Sequence, residues 1–249
     1  MLKPFIENPS EWTVWIDLDD TLWDFRNNSL ATLAEVYNEF GLQRYWAETE
    51  KWQTDYHLVN DALWEDYAVG KVTQHELRFR RFFDTLVNAK TPVSEARELA
   101  PRMDKYYLER LGKRPTLVDG AMELLDRLRE RKYKIGILSN GFPDVQFSKM
   151  RSGKIADKID VVVLSDELGI NKPDVRIYRY AEQKGGVAAS CCIMIGDNGD
   201  TDIAGAIKAG WPLAVWFNPR HKNMGKGLSD ALSEGGGLNV ISDLSEIDL

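Results

Sequence analysis

Five short runs of almost unbroken apolar residues constrain this chain more than any other feature: TVWIDL (13–18), YKIGILS (133–139), DVVVLS (160–165), CCIMIG (191–196) and PLAVWF (212–217). Rich in β-branched and aromatic residues, they read as strands buried on both faces. Around the last four lie amphipathic stretches, GAMELLDRLRERK, RIYRYAEQKGG and TDIAGAIKAG, each closing on a basic residue or a glycine as helix C-termini prefer. Strand and helix alternate from about Pro115 onward. That alternation predicts an α/β fold, a doubly wound parallel sheet.

The first run stands apart, because the segment after it carries almost no β signal. SLATLAEVYNEFG, with Ser29 as its cap and a terminal glycine, TQHELRFRRFFDTLVNA and VSEARELAPRMDKYYLERLG are all amphipathic at helical spacing. The sequence thus predicts an all-α cap subdomain, residues 26–112, inserted after the first strand of a core made of residues 1–25 and 113–249. SEGGG (233–237) reads as a flexible loop before a last short element, LNVISDLSEI.

With 249 residues, 43% of them hydrophobic, the chain can build a real core. MLKPFIENPSEW lacks the apolar run of a signal peptide, and no segment reaches membrane-spanning length, so a soluble cytoplasmic protein is expected. A formal charge of -7 argues against a nucleic-acid polymer or an anionic membrane as partner and leaves a small anion open. The two cysteines, Cys191 and Cys192, are adjacent, offer neither a disulfide framework nor a zinc site, and read as buried packing residues. His57, His75 and His221 are scattered without metal-ligand spacing.

Polar clusters follow four of the strands. VWIDLDDTLWDF sets Asp17, Asp19 and Asp20 at the end of the first; strand alternation turns Asp17 and Asp19 to one side, while Asp20 has no assigned role. SNG, Ser139 to Gly141, follows the second and offers a hydroxyl and turn N–H groups to a phosphate. NKPD places Lys172 beside Pro173, and GDNGDTD brings Asp197 straight off a strand with Asp202 at the start of a helix. Ligands of open α/β sheets gather at this edge. Carboxylates converging there repel unless a cation neutralises them, and oxygen ligands suit Mg²⁺ with a substrate phosphate. The set therefore points to phosphoryl transfer. A calcium loop does not fit, because no alignment of DNGDTDIAG puts glycine sixth with ligands at first, third and fifth.

In this order, and with the long insert after the first, DLDDT, LSNG, NKPD and GDNGDTD resemble the four motifs of the haloacid dehalogenase superfamily of aspartyl phosphatases, over essentially the whole chain. The resemblance implies that Asp17 is the nucleophile and that Asp19 is the general acid, later the base. It further implies Mg²⁺ held by Asp17, the backbone carbonyl of Asp19, and Asp197, with Asp202 supporting them from behind and Ser139, Asn140 and Lys172 on the phosphate. Asp200 matches no motif carboxylate and is expected to be mostly solvated.

Within that superfamily, DLDDTLWDF and NDALWEDYAVGKVTQHELRFRRF are most similar to the pyrimidine 5′-nucleotidase branch, which implies nucleoside monophosphates as the small phosphorylated substrate. Aromatic residues of this region, Trp23 first, could stack on a base. A phosphatase or phosphomutase of sugar phosphates or phosphoglycolate shares every core motif, and a non-catalytic module binding Mg²⁺ and a phospho-ligand is the reading from another class. A dehalogenase needs neither a second acid nor a metal, so Asp19 argues against it.

Overall fold

The computed structural model describes residues 6–233 and 237–249, so the glycine-rich loop expected at 233–237 lies mostly outside the described residues. The chain forms two compact units, Met1–Phe25 with Pro115–Leu249, and Arg26–Arg114. No helix among the described residues is long and apolar enough to cross a membrane.

The first unit is built on a sheet of six parallel strands: β1 (Thr13–Ile16), β2 (Lys134–Ser139), β3 (Val161–Leu164), β4 (Cys192–Gly196), β5 (Leu213–Phe217) and β6 (Leu238–Ile241). The order is β3-β2-β1-β4-β5-β6, the doubly wound arrangement the alternating pattern predicts. Every residue of β1, β4 and β5 is buried, which is why these runs show no polar alternation. On one face Trp15, Leu138 and Met194 pack with Ile177, Tyr178 and Ala181 of a helix that follows β3. Trp15 stacks on Trp211 at 6.3 Å between ring centroids.

Winding reverses between β1 and β4, the place in an open α/β sheet where ligands bind. Ile16 lies level with Ile137 and Ile195, so Asp17, Ser139 and Asp197 leave the sheet at a common edge. Sequence signals and structure agree on the strands to within about two residues, as boundary fraying allows.

The second unit holds α1 (Phe25–Glu39), α2 (Thr49–Ala68), α3 (Gln74–Asn88) and α4 (Val93–Leu111). α3 opens with a capping box: Thr73 Oγ1 accepts from Glu76 N at 3.2 Å, and Glu76 Oε2 accepts from Thr73 N at 2.8 Å. Ser29 is not a cap. α1 begins at Phe25, and Ser29 sits inside it, buried, with its hydroxyl 2.9 Å from the Tyr107 hydroxyl. Trp52, Tyr56, Phe82 and Tyr107 form this unit's aromatic core, with ring centroids 5.0–6.3 Å apart.

Between and after the strands of the first unit run α5 (Ala121–Glu130), α6 (Pro143–Ser152), α7 (Val175–Gly185), α8 (Ala204–Lys208) and α9 (Lys226–Ser233). α6 and α9 have no counterpart among the helices read from the sequence. The buried face of α6 is Val145, Gln146, Lys149 and Met150, two of them polar, so no apolar period announces it.

Candidate active site

β1 ends at Ile16, but the backbone stays in register for one more residue, with Asp17 N donating to Ile195 O at 2.9 Å. Asp17 therefore leaves the sheet from a hydrogen-bonded strand end, and the residue is 7% exposed. Beyond it the chain turns sharply: Asp20 takes a left-handed conformation (φ 59°) and its N–H donates to Trp23 O at 2.8 Å.

Lys172 enters this edge from the loop after β3 and is itself buried. Its Nζ donates to Asp17 Oδ1, Asp202 Oδ1 and Leu138 O, each at 2.7 Å, so all three ammonium hydrogens are engaged. These two carboxylates keep Lys172 above the ordinary lysine range despite burial. Its contacts make it the counter-ion of Asp17 and Asp202 before it is anything else.

Asp197 and Asp202 come from the turn after β4. Asp202 is buried, with Oδ2 accepting from Asn198 N at 3.0 Å, and its carboxyl lies directly over the Cα of Gly196. A Cβ at 196 would come within 2.3 Å of Asp202 Oδ2, so the glycine is what lets the acid approach the strand end. Asp17, Asp197 and Asp202 each offer a carboxylate oxygen within 4.8 Å of the others. Burial pushes Asp17 well up from its ordinary value, Lys172 opposes this, and the charges of Asp202, Asp197 and Asp19 add to it. Asp197 is pushed up to about 6 by burial and by Asp202, against the pull of Lys222. Oxygen donors that crowd and resist ionisation are a site a hard divalent cation fits.

Ser139 at the end of β2 is buried, and its Oγ accepts from Gln146 Nε2 at 2.7 Å and Gly141 N at 3.2 Å. Both lone pairs are then used, and the hydroxyl hydrogen is the part left to donate. The Asn140 amide is turned to the backbone of Lys172, accepting from Lys172 N at 2.8 Å and donating to Lys172 O at 3.1 Å. In this arrangement the Asn140 side chain clamps the lysine loop.

Asp19 has partners that sequence reasoning missed. Lys149 Nζ donates to Asp19 Oδ1 at 2.7 Å and Oδ2 at 2.9 Å, and Gln146 Nε2 donates to Oδ2 at 3.0 Å. Two more cations reach the site from the segment after β5: Lys222 meets Asp197 Oδ2 at 2.8 Å and Arg220 meets Asp20 Oδ2 at 3.3 Å. Five carboxylates, Asp17, Asp19, Asp20, Asp197 and Asp202, thus face four cations, Lys149, Lys172, Arg220 and Lys222, one negative charge in excess. Only Lys172 was expected. The spacing Gln146 to Lys149, one helical turn, is the signal that could have placed both side chains on one face of α6.

Three further expectations need correction. Trp23 has no exposed ring; it is fully buried, with Lys149 Nζ 4.8 Å from its centroid, and so offers no stacking face. Asp200 is half-buried because Oδ1 accepts from Leu228 N at 2.8 Å, tying down the start of α9. Cys192 is buried, but Cys191 is only partly so. Among the described residues no histidine joins a potential metal-binding group.

A family model described as haloacid dehalogenase-like hydrolase matches residues 13–210. The chain is 30% identical to the pyrimidine 5′-nucleotidase YjjG of Escherichia coli, over 88% of this chain and 91% of that protein. It is 31% identical to the pyrimidine 5′-nucleotidase PynA of Streptococcus pneumoniae, over 82% and 83%. A crystal structure of the HAD-hydrolase YfnB from Bacillus subtilis, bound to magnesium, superposes with a TM-score of 0.79 over 95% of this chain and 96% of that one, at 23% identity.

Proposed function

We propose, since this chain belongs to the haloacid dehalogenase-like hydrolase family, that it is a Mg²⁺-dependent phosphomonoesterase. In this reading it works through an aspartyl-phosphate on Asp17 and acts on pyrimidine nucleoside 5′-monophosphates. The observation that carries the chemistry is the buried Asp17 at a hydrogen-bonded strand end, with Lys172 on Oδ1 and the carboxylates of Asp197 and Asp202 within 4.8 Å. The substrate class rests on the two nucleotidases that the chain resembles over most of its length.

Asp17, Asp197 and the main-chain carbonyl of Asp19 would hold the Mg²⁺, with Asp202 and Lys172 bracing Asp17. The ion's charge would screen the approach of an anionic substrate to an anionic nucleophile. An Asp17 oxygen attacks phosphorus, the P–O ester bond breaks, and Asp19 delivers its proton to the leaving oxygen. Asp19, now a carboxylate, takes a proton from water as that water attacks the phosphorus. Inorganic phosphate leaves and Asp17 is regenerated. The Ser139 hydroxyl donates to a phosphoryl oxygen throughout. A halide leaving group would need no such proton, so this acid favours phosphate ester over haloacid.

Phosphoryl groups of all monoesters look alike to these residues, so discrimination is assigned to the unit Arg26–Arg114. Phosphate release from UMP, dUMP, dTMP, purine monophosphates, sugar phosphates and phosphoglycolate, with Mg²⁺ or chelator, tests the reading. Metal-dependent release concentrated on pyrimidine monophosphates is expected. Preference for sugar phosphates or phosphoglycolate overturns the substrate, an isomerised sugar product reveals a mutase, and no release overturns the enzyme.

A further inference from the structure

We propose that Lys149 and Gln146 of α6 are positioning residues that fix the carboxyl of Asp19 for proton transfer; this rests on the reading of Asp19 as the acid. Three hydrogen bonds, two from Lys149 and one from Gln146, hold both of its oxygens. Such a carboxyl cannot rotate freely about its side-chain bonds. The same Gln146 nitrogen carries two hydrogens, one for Asp19 Oδ2 and one for Ser139 Oγ at 2.7 Å. Acid and phosphate donor thereby share one mount.

The Lys149 side chain is 4% exposed and that of Asp19 29%. Lys149 Nζ lies 4.8 Å from the Trp23 centroid and 5.2 Å from that of Phe25, behind two aromatic rings. A lysine so covered acts through the carboxylate it holds. Its neighbours on the buried face of α6 include Val145 and Met150, where a leucine or methionine would pack without desolvating a charge. A buried ion pair gives little net stability over such a replacement, so the charge calls for another reason. Gly141 fits the same picture: a Cβ there would lie 2.1 Å from Gln146 Nε2, so the glycine leaves Gln146 its place. Proton transfer demands hydrogen-bond reach in the productive pose, and small displacements of a catalytic group are expensive.

The test compares kcat/KM for alkyl esters, UMP and ribose 5-phosphate, with that for p-nitrophenyl phosphate, whose nitrophenolate departs without a proton. This constant reads only the steps up to loss of the leaving group, so the later activation of water does not enter. In Lys149→Met the better alkyl ester should lose about 10- to 100-fold, part of the ~10²–10⁴ of general acid catalysis, and p-nitrophenyl phosphate less than about threefold. Gln146→Met should show the same asymmetry, smaller, on top of a loss common to both classes of ester because Gln146 also places Ser139, so its readout is the ratio of the two losses, and Lys149→Arg should recover most of the alkyl activity. Equal losses on both classes of ester, or no loss on the alkyl ester, overturn the inference. Should Lys149→Met fail to fold, the Gln146→Met ratio decides by the same criterion. A wild-type chain that hydrolyses neither ester overturns the phosphatase reading itself, and the inference with it.

Discussion

Arg81 in the inserted unit and Lys172 in the sheet unit are both buried cations held by aspartates, yet their surroundings differ in charge balance. Arg81 gives Nε and Nη2 to Asp104 Oδ1 at 2.9 and 2.5 Å and lies 5.2 Å from the Tyr107 centroid and 5.6 Å from that of Phe82. One cation meets one carboxylate among aromatic faces. Lys172 instead serves two buried carboxylates with a third, Asp197, beside them. Burial therefore leaves Asp17 and Asp197 hard to ionise, while the Arg81 pair is internally satisfied. A balanced buried pair is architecture; an overloaded one is a place prepared for a further cation.

Breaking the nucleophile should have the largest effect. Asp17→Asn is expected to lower turnover about 10⁴-fold or more, as removing one member of a concerted catalytic set does. Its melting temperature should stay level or rise, because repulsion among the acids is relieved. Phosphate release alongside thermal melting checks this, and ordinary turnover would remove Asp17 from its role.

On the other side, Arg81→Met should destabilise the fold by about 3 kcal/mol or more, since it strands a largely buried carboxylate. Turnover per folded molecule should not change. Urea unfolding together with kcat separates the two; a variant as stable as the parent would mean that the Arg81–Asp104 pair does not hold this unit together.

The acid crowding can be read through pH. Folded Asp197 releases its proton near 6 and an unfolded aspartate near 3.8, so protonation favours the folded chain. The penalty is full above about pH 6 and fades as pH falls towards about 4, at most about 3 kcal/mol for a shift of this size. Metal-free protein should gain this contribution on mild acidification. Added Mg²⁺ should raise the melting temperature more above pH 6 than near pH 5, where a protonated Asp197 is a poor ligand. An equal Mg²⁺ effect at both pH values would place the ion elsewhere.

The rim pair should matter least. Arg220 and Asp20 are 39% and 17% exposed, and Arg220→Ala should change stability by less than about 1 kcal/mol in urea unfolding. A larger loss would mean that the segment after β5 is part of the core.

Strands, their parallel order and the acids at their ends were legible because each signal is local. A doubly buried strand is apolar throughout, and its functional residue follows directly in sequence. The helix α6 was not legible, because its buried face includes Gln146 and Lys149, whose burial makes sense only once Asp19 and Ser139 are beside them. Lys222 and Arg220 likewise look like surface residues until the chain brings them to Asp197 and Asp20. Trp23 misled in the opposite sense, its place after the acids suggesting a ligand contact where the fold buries it. Partners supplied by a distant segment leave no periodic trace in the sequence.

Transfer of radiophosphate from labelled UMP to the protein, quenched in acid within a single turnover and mapped by proteolysis, shows whether Asp17 is the nucleophile. Label on the peptide that carries Asp17, absent in Asp17→Asn, is the predicted result. Hydrolysis that proceeds with no protein-bound label, or with label on a different residue, would contradict it.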